Sequence, residues 1–375
     1  MQQLLAHARA HQAAAASLIR RLVECESPSG DEAALRRMAE LVADEVASIA
    51  KVRFFRGGHL RCDFQLPGRR KAGRILGLGH LDTVWPVGTL KTMPFRKRDG
   101  RLWGPGVFDM KSGIALFIMA MRALRDLERP VRRRVSLLLV TDEETGSRSS
   151  RPLTEKEALA SDAVLVLEPA FGPEGRLKTA RKGVAHYRIA VHGRAAHSGI
   201  DFEAGASAVV ELSHQVVRAS ALTDLERGLT VNPGVIRGGS RVNVVAPYAE
   251  AEIDLRFRRA ADGRRATRKI ERLRPVDPRC RLEITGGVNR PPLERTRKVA
   301  RLFALAQRLA AEVGVELGEA ETGGASDGNF TAALGVPTLD GLGGVGEGAH
   351  APHESVFIDR IADRTALLAG LAASL

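Results

Sequence analysis

Three apolar stretches in the first half of the chain each run into side chains that bind metal ions in proteins. The stretches are residues 74–79, 135–140 and 163–167, and they are followed by His80 with Asp82, by Glu143 with Glu144, and by Glu168. Short apolar runs are typical of buried strands, and the carboxyl ends of parallel strands meet at the sheet edge where ligands bind. A further acid, Asp109, precedes an apolar helix predicted over 112–127. The sequence therefore predicts an α/β sheet with imidazole and carboxylate groups gathered at one edge.

The order of the predicted elements divides the chain into two domains. A helix is predicted over most of 3–25, and strands and helices then alternate up to residue 180 in the manner of an α/β sheet. Residues 181–291 follow the order β-α-β-β-α-β, which is typical of a ferredoxin-like domain. The α/β pattern resumes and ends in a helix near 359–374. We expect an α/β fold with a mixed, mainly parallel sheet in a discontinuous catalytic domain, residues 1–180 and 292–375, and an inserted domain, residues 181–291.

The formal net charge of +13 raises the question of a nucleic-acid partner. The basic clusters at 69–71, 132–134 and 264–269 are short and contain no interleaved aromatic side chains on which bases could stack. We therefore expect no nucleic-acid partner. The charge is interpreted as a solvated surface that can steer an anionic substrate.

Cysteine usage and hydropathy indicate the compartment. The three cysteines, Cys25, Cys62 and Cys280, are widely spaced, and this pattern favours neither a disulfide framework nor a thiolate zinc site. The N-terminal residues lack the features of a signal peptide, and no stretch approaches the ~18 apolar residues of a membrane span. We expect a cytoplasmic protein with no membrane partner.

Each of the polar motifs also has an ordinary structural interpretation. Asp109 could cap a helix, although the neighbouring Gly104 and Gly106 indicate a close approach of the backbone. The acidic run 142–144 could be a solvated loop, but adjacent glutamates can divide the roles of metal ligand and proton shuttle. Asp82 could accept the second ring proton of His80. Together these residues predict a hydrolytic site with two metal ions.

These motifs resemble a family of two-zinc metallopeptidases. The family includes glutamate carboxypeptidases, acetylornithine deacetylase, succinyl-diaminopimelate desuccinylase, aminoacylases and several dipeptidases. The resemblance covers nearly the whole chain and is carried by His-x-Asp-Thr-Val at 80–84, Gly-x-Gly-x-x-Asp-Met-Lys at 104–111 and Asp-Glu-Glu-x-Gly-Ser at 142–147. It implies two Zn²⁺ ions per subunit, with Co²⁺ or Mn²⁺ as substitutes.

The resemblance also implies roles for individual residues. The implied metal ligands are His80, Asp109, Glu144, Glu168 and His350, with Asp109 bridging the two ions. Glu143 would be the general base and acid, and Asp82 would orient His80. The last ligand of the family usually stands four residues before a glutamate; His350 before Glu354 fits this spacing, and His353 is the alternative.

In the inserted domain the resemblance concerns substrate binding and assembly. His197, within 193–199, resembles a histidine that reaches the active site of a partner subunit, which implies a homodimer and a lid or dimerisation role for the domain. Asn243 and Arg256 resemble residues that bind the substrate carboxylate, a group that the arginine fork suits. Gly324 and Ser326 lie in a segment that resembles a substrate-lining loop.

The implied activity is hydrolysis of an amide bond in a small peptide or N-acyl amino acid. The segment 80–95 most resembles the glutamate-carboxypeptidase branch, which favours an exopeptidase that releases a C-terminal amino acid. A dipeptidase and an N-acyl-amino-acid deacylase of the acetylornithine-deacetylase type remain open. A catalytically inactive metal- or nucleic-acid-binding protein is the alternative from another class, and the presence of Glu143 beside Glu144 argues against a ligand-only site.

Overall fold

A computed structural model describes residues 1–69 and 71–375, so that Arg70 of the first basic cluster lies outside the described residues. The chain divides into two compact units: residues 1–180, 295–322 and 326–375 form the first, and residues 181–294 and 323–325 form the second. The helices are α1 Gln2–Ala10, α2 Gln12–Glu24, α3 Glu32–Val46, α4 Ser112–Asp126, α5 Arg151–Leu159, α6 Ala208–Ser220, α7 Ala260–Glu271, α8 Arg297–Ala311, α9 Gly328–Ala333 and α10 Ile361–Ser374.

The strands are β1 Ala50–Phe54, β2 Leu60–Phe64, β3 Arg74–His80, β4 Arg96–Arg98, β5 Arg101–Trp103, β6 Arg134–Val140, β7 Ala163–Val166, β8 Leu177–Arg181, β9 Gly183–His192, β10 Thr230–Gly238, β11 Tyr248–Phe257, β12 Arg281–Arg290, β13 Glu319–Thr322, β14 Thr338–Leu339, β15 Gly346–Glu347 and β16 Ser355–Phe357.

The first unit contains a six-stranded sheet with the strand order β1-β2-β6-β3-β7-β14. Strand β3 pairs in parallel with β6 and β7, and β14 pairs in parallel with β7. Strand β2 pairs antiparallel with β1 on one side and with β6 on the other. The interior of β3 and β6 is apolar and buried, as expected for central strands that are covered on both faces. The predicted mixed, mainly parallel α/β sheet is confirmed.

The buried helix α4 fixes the geometry of the sheet edge. Almost all of its residues are buried, and it packs against α10. At Gly113 a Cβ atom would lie 2.1 Å from the main-chain oxygen of Leu167, a distance that no larger residue could tolerate. The absence of a side chain at Gly113 thus lets the first turn of α4 contact the backbone that leads into Glu168.

Arg364 of α10 is a buried cation that supports the same region. It is 2% exposed and donates hydrogen bonds to the main-chain oxygens of Gly343 at 3.1 Å, Gly175 at 3.0 Å and Gly341. Burial lowers the pKa of Arg364 to about 10, so that the guanidinium stays charged at neutral pH. The amide of Gly343 in turn donates to the main-chain oxygen of Glu168 at 2.9 Å. Arg364 therefore holds the glycine loop that packs beside Glu168.

Replacing this arginine should cost stability. We expect Arg364→Met to lower the free energy of unfolding by on the order of 3 kcal/mol, because buried carbonyls lose their donors. Urea unfolding followed by circular dichroism measures the loss, with Arg301→Met, at an exposed position of α8, as the control. Equal midpoints for the two variants would contradict this account.

The second unit has the chain order β9-α6-β10-β11-α7-β12 and an antiparallel sheet of order β10-β11-β9-β12. Alternate residues of β9, such as Tyr187 and Ile189, join one apolar cluster with Leu212 of α6 and Ile270 of α7. Both helices therefore cover one face of the sheet, which is the ferredoxin-like arrangement. Whether this unit acts as a lid or a dimerisation domain stays a prediction.

Several element boundaries differ from those expected. The single helix over 3–25 is wrong: His11 has φ −104° and ψ 13°, and its Nδ1 lies 2.9 Å from the main-chain oxygen of His7, so the chain breaks into α1 and α2. A side chain that bonds the backbone locally competes with helix continuation. Strand β12 runs past the expected end at residue 285, since its pairing with β9 continues through Gly286 and Gly287, whose positive φ angles of 126° and 149° favour glycine. Among the described residues no helix is long and apolar enough to cross a membrane.

Candidate metal centre

Three of the expected ligands meet at the carboxyl edge of the sheet. His80 is the last residue of β3, and Glu168 comes just after β7. The Nε2 atom of His80 lies 3.2 Å from Oδ1 of Asp109 and 3.5 Å from Oε1 of Glu168. The three ligand atoms lie within 4.8 Å of one another, which is close enough for one metal ion to contact them all.

A second group of ligand atoms shares Asp109. The Nε2 atom of His350 lies 3.2 Å from Oε1 of Glu144 and 3.5 Å from Oδ2 of Asp109. Asp109 thus presents one carboxylate oxygen to each group, which is the geometry of a bridging ligand. His350 belongs to this group and His353 does not, and among residues 1–69 and 71–375 these are the two groups of this kind.

Local backbone conformation brings Asp109 and His350 into these positions. Asp109 lies in an irregular turn, Val107–Lys111, where its φ of −113° and ψ of 96° depart from helical values, and the bond to Met110 is cis. His350 has a φ of 61°, which few residues other than glycine adopt. Unusual backbone angles are concentrated at functional sites, and no residue pattern around Asp109 or His350 predicts either conformation.

The histidines and carboxylates of the two groups shift one another's pKa values. Burial alone would lower the pKa of His80, but hydrogen bonds to Asp109 and two further carboxylates raise it well above its ordinary value. The bonds to Asp109 and then to Glu144 raise the pKa of His350 to about 10. Burial would raise the pKa of Asp109, yet the two histidines lower it, whereas burial raises the pKa of Glu144. The negative charge of these carboxylates thus requires a positive partner. Either an imidazolium or a divalent cation can be that partner.

Asp82 acts through both its backbone and its side chain. Its main-chain oxygen lies 2.9 Å from Nδ1 of His80, and since a carbonyl only accepts, Nδ1 carries the proton and Nε2 is left for a metal ion. The Asp82 carboxylate lies 3.5 Å from the same ring nitrogen. It accepts hydrogen bonds from the amides of Glu143 at 3.2 Å and Glu144 at 3.1 Å, and from the hydroxyl of Ser29 at 2.8 Å. One buried residue therefore contacts the ring of His80 and accepts hydrogen bonds from the turn that carries both glutamates.

Two predicted residues of the second unit lie on adjacent loops. His197 is exposed and forms an isolated bridge with Val244, and the amide of Ser198 donates to the main-chain oxygen of Asn243 at 3.1 Å. The amide of Gly199 donates to Nδ1 of His197 at 3.1 Å. This bond makes Nδ1 the acceptor, so that Nε2 carries the proton and can donate it.

Arg256 and the segment 323–328 have structural partners of their own. The Arg256 guanidinium pairs with Asp254 through Nε at 2.8 Å and Nη2 at 2.9 Å, and its Nη1 donates to the main-chain oxygen of Gly323 at 3.4 Å. The main-chain oxygen of Gly324 accepts from Arg181 at 3.3 Å. Ser326 is fully buried, and its hydroxyl donates to Asp340 at 2.7 Å. The side chain of Ser326 thus stabilises its own loop.

Glu354 lies beside this centre and has a structural role that its position in the sequence does not indicate. Glu354 is fully buried, and its carboxylate accepts hydrogen bonds from the amides of the loop that carries Asp109. Burial raises the pKa of this carboxyl group, while the backbone donors oppose the shift. In the sequence, an acidic residue next to His353 and near His350 is expected to be solvated, whereas in the fold Glu354 points inward.

A mixed α/β sheet with two ligand groups that share one aspartate at its carboxyl edge is the architecture of a metallopeptidase. Residues 77–374 match the profile of Peptidase family M20/M25/M40, and the chain belongs to this family.

Several known proteins are similar to the chain over nearly its whole length. Carboxypeptidase G2 of Pseudomonas sp. (strain RS-16) is 28% identical over 368 residues, which cover 96% of this chain and 89% of the relative. Succinyl-diaminopimelate desuccinylase of Corynebacterium glutamicum is 26% identical over 374 residues, with 94% of each chain covered. The crystal structure of aminopeptidase PepT from Bacillus cereus aligns with a TM-score of 0.80 at 20% identity, covering 96% of this chain and 98% of the other. The last comparison establishes likeness of fold alone.

Proposed function

We propose that the chain is a two-zinc exopeptidase of the glutamate-carboxypeptidase type, which hydrolyses the amide bond next to a free carboxylate. The observation that carries the proposal is the shared Asp109, whose two carboxylate oxygens face separate ligand groups. The similarity to carboxypeptidase G2 over 96% of the chain supports the choice of a carboxypeptidase.

The donor set fits two zinc ions. Imidazole nitrogen and carboxylate oxygen are ordinary zinc ligands. His80, Asp109 and Glu168 would hold one ion, and Asp109, Glu144 and His350 the other. The bound ions would supply Lewis-acid activation of a water molecule and of the scissile carbonyl. Co²⁺ and Mn²⁺ are expected substitutes.

The chain's own residues then move the protons and orient the substrate. Glu143 takes a proton from the attacking water and passes it to the leaving amine, a task suited to a carboxylate whose main chain is held by Asp82. The Nε2–H group of His197 donates to the carbonyl oxygen as negative charge develops there. Asn243 and Arg256 bind the substrate carboxylate. Because Nε and Nη2 of Arg256 donate to Asp254, Arg256 would donate to the substrate through Nη1.

A substrate screen tests this assignment. The zinc-loaded protein is assayed with N-acyl amino acids and dipeptides that differ in the C-terminal residue and in the blocking of either end. We expect hydrolysis of N-blocked substrates that keep a free C-terminal carboxylate, with strongly reduced rates when that carboxylate is amidated. Cleavage that requires a free amino terminus would instead identify a dipeptidase.

The similarity to succinyl-diaminopimelate desuccinylase favours a second candidate, an N-acyl-amino-acid deacylase. The same screen distinguishes a deacylase from a carboxypeptidase. On the acyl side of the scissile amide, a deacylase prefers a small acyl group to an aminoacyl or aromatic acyl group. A protein without any hydrolytic activity in the loaded state would belong to the non-catalytic class.

We further propose a homodimer formed by the second unit. Strand β10 lies at the edge of its sheet, and an edge strand can pair with another chain. The neighbouring helix α6 exposes 58% of Val210 and 69% of Val217, and β10 exposes 59% of Ile236. Apolar side chains beside an open strand edge support an isologous contact with a second copy. The three unpaired cysteines support a reducing, cytoplasmic location.

Complementation tests whether His197 serves the partner subunit. His197→Ala and Glu143→Ala homodimers should each be almost inactive, whereas the mixed dimer combines one intact Glu143 with an intact His197 from the other chain. Two affinity tags isolate this heterodimer after co-expression, and about half the wild-type rate is expected, since one of two sites works. An inactive heterodimer, proved to have formed by both tags, would locate His197 in its own subunit's site or in no site.

A further inference from the structure

Glu354 is a buried carboxylate that accepts four hydrogen bonds. Its Oε1 accepts from the amides of Phe108 at 2.9 Å and Asp109 at 3.0 Å. Its Oε2 accepts from the amide of Gly106 at 2.8 Å and from the indole nitrogen of Trp85 at 2.8 Å. Within residues 1–69 and 71–375 no Lys, Arg or His side chain forms an ion pair with it. Peptide and indole N–H groups thus hold both oxygens of this carboxylate, and the buried Lys111 ammonium lies near enough to attract its charge without a direct ion pair.

These donors belong to segments that carry metal-ligand side chains. The loop that presents the shared carboxylate contains Gly106, Phe108 and Asp109. Trp85 lies five residues after His80 in the sequence. Glu354 itself lies four residues after His350, in a turn where the amide of Ala351 donates to Gly348 at 2.9 Å and that of Glu354 donates to Ala351 at 3.0 Å. Glu354 therefore connects the Asp109 loop to the turn of His350.

We propose that Glu354 is a positioning residue for the metal centre: its two oxygens fix the Asp109 loop relative to the turn of His350 and thereby set the spacing of both ligand groups. The inference rests on the proposed metal centre and deepens it. The Glu354 carboxylate contacts the main-chain amide of Asp109 and not its carboxylate, so that its influence passes through the backbone. Residues that hold metal ligands in place typically contribute ~10–100-fold to metal affinity or activity.

The donor arrangement explains why a carboxylate is required at this position. Two N–H groups converge on each oxygen, so that both oxygens must act as acceptors. Glutamine has the same size but a single acceptor oxygen. Its NH₂ group would face either the amides of Phe108 and Asp109 or those of Gly106 and the Trp85 indole, and in both cases two donors would lose their acceptor.

Metal binding by Glu354→Gln is the test. Zn²⁺ affinity is measured by competition with a chromophoric chelator, and the visible absorption of the Co²⁺-loaded protein reports ligand geometry. We expect Glu354→Gln to lower the affinity for zinc by ~10–100-fold and to change the Co²⁺ spectrum, since Asp109 serves both ions. Glu347→Gln, at an exposed position of β15, is the control and should leave both readouts unchanged.

A second substitution tests the donor count itself. Trp85→Phe removes one of the two donors on Oε2 and leaves Gly106 bound there, so alone it should lower zinc affinity less than Glu354→Gln does. In the double variant, Trp85→Phe with Glu354→Gln, the glutamine NH₂ faces one donor instead of two. We therefore expect the double variant to recover part of the affinity lost by Glu354→Gln.

The outcomes separate the alternatives. A merely structural role would lower the melting temperature of the metal-free protein but leave zinc affinity and the Co²⁺ spectrum of the folded variant at wild-type values, and this result would overturn the inference. If Glu354→Gln does not fold, the double variant and Glu354→Asp are judged by the same two readouts, with wild-type values again overturning it. A wild-type protein that binds no zinc would instead contradict the proposed function, before Glu354 is tested.

Discussion

Asp109→Ala is expected to lose both metal ions and with them the hydrolytic activity. The reason is geometric: Oδ1 of Asp109 faces His80 at 3.2 Å, and Oδ2 faces His350 at 3.5 Å, so a single substitution removes a ligand from each group. Lewis-acid activation supplies several kcal/mol of transition-state stabilisation, and its loss corresponds to on the order of 10³-fold or more in rate. Metal analysis after dialysis against trace zinc measures the stoichiometry beside the rate.

Glu168→Ala is the matched comparison for the bridging role. Glu168 belongs to the first group alone, so that this variant should keep the ion of the second group, whereas Asp109→Ala should keep neither. Both proteins should retain their circular dichroism spectra, which excludes unfolding as the cause. Two full equivalents of zinc in Asp109→Ala would remove the bridging carboxylate from the proposal.

Glu143→Gln should bind two zinc ions and yet lose ~10²–10⁴-fold in kcat, which is the usual contribution of a general base. The substitution keeps the size of the side chain and the amide that donates to Asp82, so the turn is maintained while the proton acceptor is removed. Single-turnover kinetics and metal analysis on the same sample distinguish lost chemistry from lost metal.

Glu144→Gln provides the contrast for Glu143. The carboxylate of Glu144 lies 3.2 Å from Nε2 of His350, as expected of a ligand, and its substitution should lower the zinc content. The reverse pattern, in which Glu143→Gln loses zinc and Glu144→Gln does not, would exchange the two roles. A nearly normal rate in Glu143→Gln would remove this residue from the mechanism.

The sequence was most informative about the sheet edge. The apolar runs before His80 and Glu168 are strands β3 and β7, and because these strands pair in parallel, residues far apart in sequence come within a few ångströms. The structure brings His350 together with Asp109 and Glu144, and the assignment of His350 as the metal ligand stays a prediction. Hydrophobic periodicity and strand direction therefore predict the position of a residue well when it directly follows the end of a strand.

The sequence was least informative where position depends on turns and buried hydrogen bonds. The left-handed His350 and the irregular backbone at Asp109 leave no pattern that single-residue propensities detect. Asp82 was expected to orient His80 through its carboxylate, whereas its nearer contact is made by the main-chain oxygen, at 2.9 Å. The inward orientation of Glu354 depends on hydrogen-bond donors that are distant in the chain, such as the amide of Phe108, which is 246 residues away.

The discontinuity of the first unit has a consequence for synthesis on the ribosome. His80, Asp109 and Glu168 all precede the second unit in the chain, so the first ligand group is complete in sequence before residues 181–294 are translated. The second group must wait for His350, and α4 must wait for its packing partner α10. Domains generally fold as units while the chain emerges, and here the inserted unit can do so before the unit that surrounds it is finished. Nascent chains that stop short of His350 would therefore contain the first ligand group without the second.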